Sequence, residues 1–544
     1  MEKIFIINGL IYDGLGNDPF MGSVYIENDL IVKVFSEHEK DENMYQEYSK
    51  EALVIDAKGM AVTPGFIDIH RHCDIQPFYG TEFGKVMLAQ GITTTVSGNC
   101  GFSMVPVPGD KKRAEEMFNF AEPVVGPAYK GIDTYKEYMH QLDKTTLPLN
   151  FASMIGSGTV KIAVKGFSNT KFTEEEMETA SKYIEDALEE GAVGVSAGIM
   201  YLPECYNSTE DYEKMLKPMS KYGVPLCVHI RGEGDSLVES IKEVIEIGRK
   251  IPCPVEISHF KSCGMKNWKK EIFKAIELIE DARSNGQDVT CDFYPYEGGS
   301  TSLTTMIPPV FVNGDMNKAL EKLGTKEGIE EFCKSLEVVY EDWDNFAITL
   351  GWDRILISGV NKKENMKFVG KMVTDAAKEA GYNNVGAFVA WLLHEEDGNV
   401  AIINMSMCQE DIDVVAKLPY SNVISDSIYA LTDTPHPRMY GAFSKVIREY
   451  VEERKVLSLQ EAVRKMTSQP ANRMGIVRRG QIIEGYYADI NIFDPKKIRD
   501  HATFEEPTHL STGISYSFIN GKMVWENEKI CSDSCGRNLR RTDN

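Results

Sequence analysis

Between residues 65 and 425, short apolar runs rich in β-branched side chains alternate with longer segments whose apolar positions recur every three or four residues. The short runs predict strands at 65–70, 93–97, 149–155, 192–197, 225–229, 255–259, 288–293 and 422–425, and the longer ones predict helices at 174–190, 236–250 and 269–283. A strand that is apolar at almost every position is one buried on both faces, and strands separated by helices are expected to run parallel. Eight strands with helical crossovers predict an α/β fold built on a (β/α)8 barrel. A doubly wound open sheet is the alternative; the strand count and the chemistry shared by the strand ends favour closure.

The two ends of the chain carry a different pattern. Residues 3–7, 22–26 and 30–34 alternate apolar and polar positions between Asn, Asp and Gly punctuation, and 487–493, 514–521 and 522–525 do the same. These segments predict a small β-sandwich domain made of 1–62 and 480–544, with the barrel occupying 63–479. From about 298 to 410 the interval is too long for a simple crossover and contains Pro308-Pro309, charged helical stretches and further apolar runs at 355–357 and 401–404. An insertion over the barrel mouth, a lid, is expected there.

With 42% hydrophobic residues in 544, the chain has the material for a large core. Its formal charge of -23 disfavours nucleic acid and anionic membrane surfaces as partners, both of which repel it at long range. No window offers the roughly twenty continuous apolar residues that span a bilayer. The eleven cysteines lack disulfide-like spacing and the start at Met1 lacks a basic segment followed by an apolar core, so a reducing cytoplasm is expected.

Chemistry gathers at the predicted strand ends. His70 and His72 close the first, Cys100 follows the second in Ser97-Gly-Asn-Cys100, and His229, His259 and Asp426 end three more. Strand alternation points His70 and His72 the same way. In a barrel these ends converge on one face, so residues distant in sequence meet in one cup. Neutral imidazoles with a thiolate suit a borderline-soft ion such as Zn²⁺, whereas Mg²⁺ or Ca²⁺ would want oxygen. A metal-bound thiolate can bridge two ions, which makes Cys100 a ligand in preference to a nucleophile. Asp426 then stands as general base and acid toward a metal-activated water. His38, His140, His394, His501 and His509 have no comparable setting.

On these residues the chain resembles the D-aminoacylase (N-acyl-D-amino-acid deacylase) family of the amidohydrolase superfamily. The matching segments are 64–70, Gly91-Ile-Thr-Thr-Thr-Val-Ser-Gly-Asn-Cys-Gly101, 229–235, 257–261, 294–296, Pro435-His-Pro-Arg438 and 484–490. The resemblance implies a (β/α)8 barrel with a β-sandwich from both termini, and a tightly held zinc on Cys100, His229 and His259. It also implies a weaker second site on His70, His72 and the shared sulfur, with Asp426 as the catalytic aspartate. Lys161 is the residue to weigh as a carboxylated bridging lysine, and it is set aside because Cys100 fills that role in the family. One departure stands out: Gly156-Ser157 lies where family members commonly carry Gly-His.

The expected substrate is an N-acyl amino acid, whose free carboxylate needs a cation. Arg438 and Lys261 are the candidates, and the resemblance adds Tyr201 and Tyr294 as hydroxyl donors. The expected reaction releases a carboxylic acid and a free amino acid, with preference for the D enantiomer implied by the resemblance alone. Two other readings are a cyclic amide hydrolase of hydantoinase or dihydroorotase type and a non-catalytic barrel. The carboxylate-binding set and the Gly-Asn-Cys-Gly motif oppose the first; the complete ligand set opposes the second.

Overall fold

The computed structural model describes residues 2–37, 42–126, 131–429 and 434–542. His38 lies outside them.

Each predicted barrel strand is present: Phe66–Asp68, Ile92–Ser97, Asn150–Ser153, Val195–Gly198, Leu226–His229, Val255–Ile257, Val289–Phe293 and Ser421–Val423. They are parallel and almost wholly buried, which is why their sequences carry little polar alternation. The ladders form two arcs, one of three strands and one of six. At one junction the strand Asn150–Ser153 continues after Met154 as Ile155–Gly156, which pairs with Val195–Gly198. At the other, side chains and short pairings stand in for a ladder. The Asp68 carboxylate accepts from Ser425 N (3.1 Å) and Ser425 Oγ (2.5 Å), Asp426 N donates to His70 O (2.9 Å), and Arg71–His72 pairs with Ser427–Ile428. The expected single closed ladder is therefore present in part, as eight parallel strands in two arcs.

The crossover helices form where periodicity and capping agree. Glu174–Glu189 starts at a Thr173–Glu176 capping box and buries Ala180, Ile184, Ala187 and Leu188 along one face. Leu237–Lys250 buries Leu237, Ile241, Val244 and Ile247 at the same spacing and ends on Arg249 and Lys250, the charges that suit a helix C-terminus.

Strands from both ends of the chain join one nine-stranded sheet, in which Ile490–Phe493 pairs antiparallel with Ala61–Pro64 and Lys3–Ile11 with Phe20–Glu27. The two faces follow the alternation in sequence. Ile4, Ile6, Val24, Ile26, Val62, Ile490 and Ile492 share one core, while Phe5, Tyr25 and Phe35 face the other way and pack with Tyr45 and Tyr48 of the helix Glu42–Glu51. The sheet is continuous: Lys3–Ile11 pairs with Leu53–Asp56 along its first half and Ala61–Pro64 along its second.

Residues 299–404 build a unit with its own core. Gly299–Ser302, Val400–Asn404 and Ile355–Val360 form an antiparallel sheet, and Leu303, Phe332, Ile357, Phe388 and Ile402 pack with the surrounding helices. Met200 and Cys263, from strand-end loops of the barrel, enter that core and anchor the unit above the strands. Among the described residues no helix is long and apolar enough to cross a membrane.

Candidate metal centre and catalytic cavity

Cys100, His70, His229 and His259 meet at the C-terminal ends of the parallel strands. Cys100 Sγ lies 3.3 Å from His70 Nε2, 3.5 Å from His259 Nε2 and 3.8 Å from His229 Nδ1, and the last two nitrogens are 2.9 Å apart. Three overlapping groups of donor atoms result: His70, His72 and Cys100; Cys100, His229 and His259; and His70, His259 and Asp426. All of these residues are buried. The strand rule assigned His70 and His72 to one continuous strand, but Phe66–Asp68 ends where Asp68 turns to bind Arg71 Nε (2.9 Å) and Ser425. The two rings still lie 5.5 Å apart, because the Arg71–His72 pairing carries His72 back over the cavity.

The donor set suits a cation. Burial is the largest influence on all four imidazoles and pushes their pKa values down, so each is neutral near pH 7 and has a lone pair to offer. Burial also pushes the Cys100 thiol well up, and only a bound cation would reverse that. His70 turns its Nε2 toward Cys100 Sγ, and His70 and His72 both bring Nε2 to within 3.5 Å of Asp426 Oδ1, so each ring offers a nitrogen to the donor group. The backbone points the same way. Cys100 (φ 53°), His259 (φ 38°) and Asp426 (φ 50°) occupy the left-handed region, which costs a non-glycine residue on the order of 1–3 kcal/mol. Each sits just after its strand, where the chain must turn sharply to aim a side chain inward.

Asp426 stands beside these donors, its Oδ1 3.4 Å from His70 Nε2 and 3.5 Å from His72 Nε2. Burial opposes its ionisation, but Arg438, whose Nη1 is 2.7 Å from Asp426 Oδ2, together with His70 and His259 outweighs burial and holds the carboxyl well below the usual range. Arg438 also lies over the Tyr294 ring, its guanidinium carbon 4.6 Å from the ring centre. Lys261 Nζ donates to Glu233 Oε1 (2.5 Å) and to His259 O (2.9 Å). Tyr201 packs on His229 with ring centres 4.5 Å apart. All four residues expected to meet the substrate line the cavity above the donor set, with Gly299, Ser300, Thr301, Phe346 and Asn404 of the 299–404 unit on the facing wall.

Lys161 is elsewhere. Its ammonium donates to Pro203 O (2.8 Å) and Asn207 Oδ1 (2.5 Å), so it bridges nothing at this site. Ser157 donates to the buried Glu204 carboxylate, which also accepts from Gly198 N (2.8 Å) and Tyr212 OH (3.1 Å). Glu204 presses on the turn after Cys100: a Cβ at Gly101 would run into its carboxylate. The Gly-Ser departure is thus absorbed into a bracket under the Cys100 loop.

Four supporting residues escaped sequence reasoning. Glu233 Oε1 lies 3.0 Å from His259 Nδ1, and its signal was a lone carboxylate between two glycines four residues after His229. Asp292 accepts from the His259 backbone and lies 3.8 Å from His70 Nδ1; a single charge inside the buried strand Val289–Phe293 was legible as an anomaly. His436 accepts from Arg438 N on Nδ1 (3.0 Å) and donates from Nε2 to Gly298 O (2.8 Å), joining the Arg438 loop to the start of the 299–404 unit. Glu204 carried no pattern that set it apart.

The amidohydrolase family model matches residues 53–202 and 425–525, which include His70, His72, Cys100, Asp426 and Arg438. An N-acyl-D-aspartate deacylase of Alcaligenes xylosoxydans is 30% identical, over 90% of this chain and 87% of its own length. The chain belongs to the D-aminoacylase family of amidohydrolases. A D-aminoacylase from the same organism is 29% identical over 90% of this chain and 89% of its own. Two solved structures share its fold at a TM-score of 0.81: a D-aminoacylase studied for its binuclear metal centre (28% identity, 99% of both chains) and the N-acyl-D-glutamate deacylase of Bordetella bronchiseptica with zinc and a phosphonate inhibitor mimicking the tetrahedral intermediate (26% identity, 99% of this chain and all of the other). As a member of this family the chain is a metal-dependent amidohydrolase.

Proposed function

We propose that this protein hydrolyses the amide bond of N-acyl-D-amino acids to a carboxylate and a free D-amino acid, with zinc as its metal. The observation that carries the reading is one cavity that brings Cys100, His229 and His259 together with Asp426 and two cations, Lys261 and Arg438. Cys100, His229 and His259 hold the tight ion in this reading, and His70 and His72 share the sulfur at a weaker second site. The zinc in the glutamate deacylase and the binuclear centre in the D-aminoacylase support it. Zinc supplies a polarised acyl carbonyl and a water of lowered pKa when bound.

The chain's own groups do the rest. Asp426, kept ionised beside Arg438, accepts the proton of the attacking water and passes it to the departing amine. Lys261 and Arg438 hold the substrate carboxylate, while Tyr201 and Tyr294 donate hydroxyl hydrogen bonds. Glu233 and Asp292 orient His259 and His70 from behind. The eight strands act as one closed barrel over 63–479, the sheet of 1–62 and 480–544 braces it, and the segment within 298–410 serves as a lid, a reading supported by its residues on the cavity wall. The protein works in the cytoplasm on a small-molecule substrate.

The test is metal analysis of the purified protein together with hydrolysis of paired N-acetyl-D- and N-acetyl-L-amino acids and of a hydantoin. Zinc and release of the D product alone are expected. Cleavage of the hydantoin alone would replace this reading with a cyclic amide hydrolase.

A further inference from the structure

His229 contributes Nδ1 to the donor group, 3.8 Å from Cys100 Sγ and 2.9 Å from His259 Nε2, which leaves Nε2 on the other side of the ring for a second contact. That contact is the Met200 thioether, whose Sδ lies 3.2 Å from Nε2. Glu233 Oε1 is 3.9 Å from Nε2, beyond hydrogen-bond reach, and is held by Lys261 Nζ at 2.5 Å.

The register of two neighbouring strands puts Met200 there. Val195–Gly198 and Leu226–His229 run parallel with Gly198 beside His229, and Ile199 N extends the pairing by donating to His229 O (2.9 Å). Tyr201 N then donates back to Gly198 O (2.9 Å), a turn that brings Met200 to the edge of the imidazole and Tyr201 onto its face. The turn needs glycine at 198, where a Cβ would run into Cys100 O. Met200 and His229 are both buried.

A thioether sulfur has lone pairs and no hydrogen to give. At 3.2 Å it attracts Nε2 only when Nε2 carries the proton; the other tautomer would set lone pair against lone pair. A neutral imidazole protonated on Nε2 keeps its lone pair on Nδ1, the nitrogen that faces Cys100 and His259. The two imidazoles are therefore held differently. His259 turns Nδ1 to the Glu233 carboxylate at 3.0 Å, with Lys261 Nζ 2.7 Å from the same nitrogen, whereas His229 leans on a neutral, weakly accepting sulfur.

Resting on the reading that Cys100, His229 and His259 hold the tight ion, we infer that Met200 is a positioning residue for His229: its sulfur accepts from Nε2–H, fixes the tautomer and leaves Nδ1 free for the metal. Because sulfur accepts more weakly than oxygen, an oxygen acceptor in its place strengthens His229 as a ligand.

The test begins without metal. With ten histidines in the chain, long-range ¹H–¹⁵N spectra of the histidine-labelled, metal-free protein resolve the rings, and His229→Gln assigns the one in question. A proton on Nε2 of His229 is expected; a proton on Nδ1 overturns the inference. Zinc affinity is then ranked by competition with a chelating dye. Met200→Leu fills a similar volume without an acceptor and is expected to lose about tenfold, the low end for removal of a partner behind a metal-bound imidazole. Met200→Gln, whose amide oxygen accepts, is expected to match or exceed the parent. Unchanged affinity in folded Met200→Leu overturns the inference, and so does an equal loss in both variants, the mark of a packing role alone; denaturant midpoints of the metal-free proteins verify folding. If the parent retains no zinc, the metal reading fails, and the ¹⁵N shifts still decide the tautomer.

Discussion

The two ends of the same parallel strands use buried polar groups in opposite ways. Glu256, within the strand Val255–Ile257, accepts from Thr290 Oγ1 and from Asn422 Nδ2 (2.9 Å) and lies 3.3 Å from Arg473 Nε. Lys465 Nζ, beneath the start of Ser421–Val423, donates to Leu418 O, Ser421 O and Ser421 Oγ. Beyond the other end of these strands, Arg438 Nη1 pairs with Asp426 Oδ2, and Cys100, His259 and Asp426 sit at positive φ. At one end the charged groups Glu256 and Lys465 are bound into the fold. At the other end the charged and donor groups line a cavity, and the positive φ of Cys100, His259 and Asp426 is a cost in stability carried at the candidate site.

The largest expected effect lies at the cavity end. Asp426→Asn is expected to retain metal and lower turnover by about 10²–10⁴, measured as kcat beside metal content; substantial remaining activity would remove Asp426 from its role. Cys100→Ala is expected to abolish retention of the tight ion through gel filtration in a weak chelator, and full metal content would undo the sulfur-centred site. Glu233→Gln leaves the three donors but weakens the brace behind His259, so a loss of roughly 10–100-fold in metal affinity is expected from competition with a chelating dye.

The smallest effect on catalysis, and a clear one on stability, is expected at the opposite end. Burial is the main influence on Glu256, assisted by nearby Asp292, and pushes its pKa up to about 8. A carboxyl whose folded pKa is raised contributes stability that is complete below its unfolded pKa, near 4.5, and is lost as pH rises through about 8. Glu256→Gln keeps a side chain able to hydrogen-bond and carries no charge to bury. Denaturant unfolding is expected to show the variant gaining on the parent between pH 5 and pH 9, with kcat almost unchanged. A kcat loss like that of Asp426→Asn would erase the contrast between the two ends.

Much of this was legible in advance because the barrel strands are buried on both faces, which writes them into the sequence as unbroken apolar runs. The donor residues were legible because each follows such a run. Glu233 and Asp292 were harder, since one carboxylate near a strand end has many ordinary explanations until His259 and His70 are seen beside it. His436, within Pro435-His-Pro-Arg438, has no role legible in sequence, because its partner Gly298 O lies 138 residues away. The strand order of the nine-stranded sheet was not legible, because alternation reports which face a residue takes, while register alone reports which strand it pairs with.

Residue order by itself determined the parallel strands, their crossover helices, the pairing of the two chain ends and the candidate donor residues, because burial and side-chain chemistry are local properties repeated along the chain. Tertiary structure alone decided that Arg438 leans on Asp426 and that Asp68 ties the first strand to the last. Those facts depend on distances between segments hundreds of residues apart, which packing sets and no local pattern encodes.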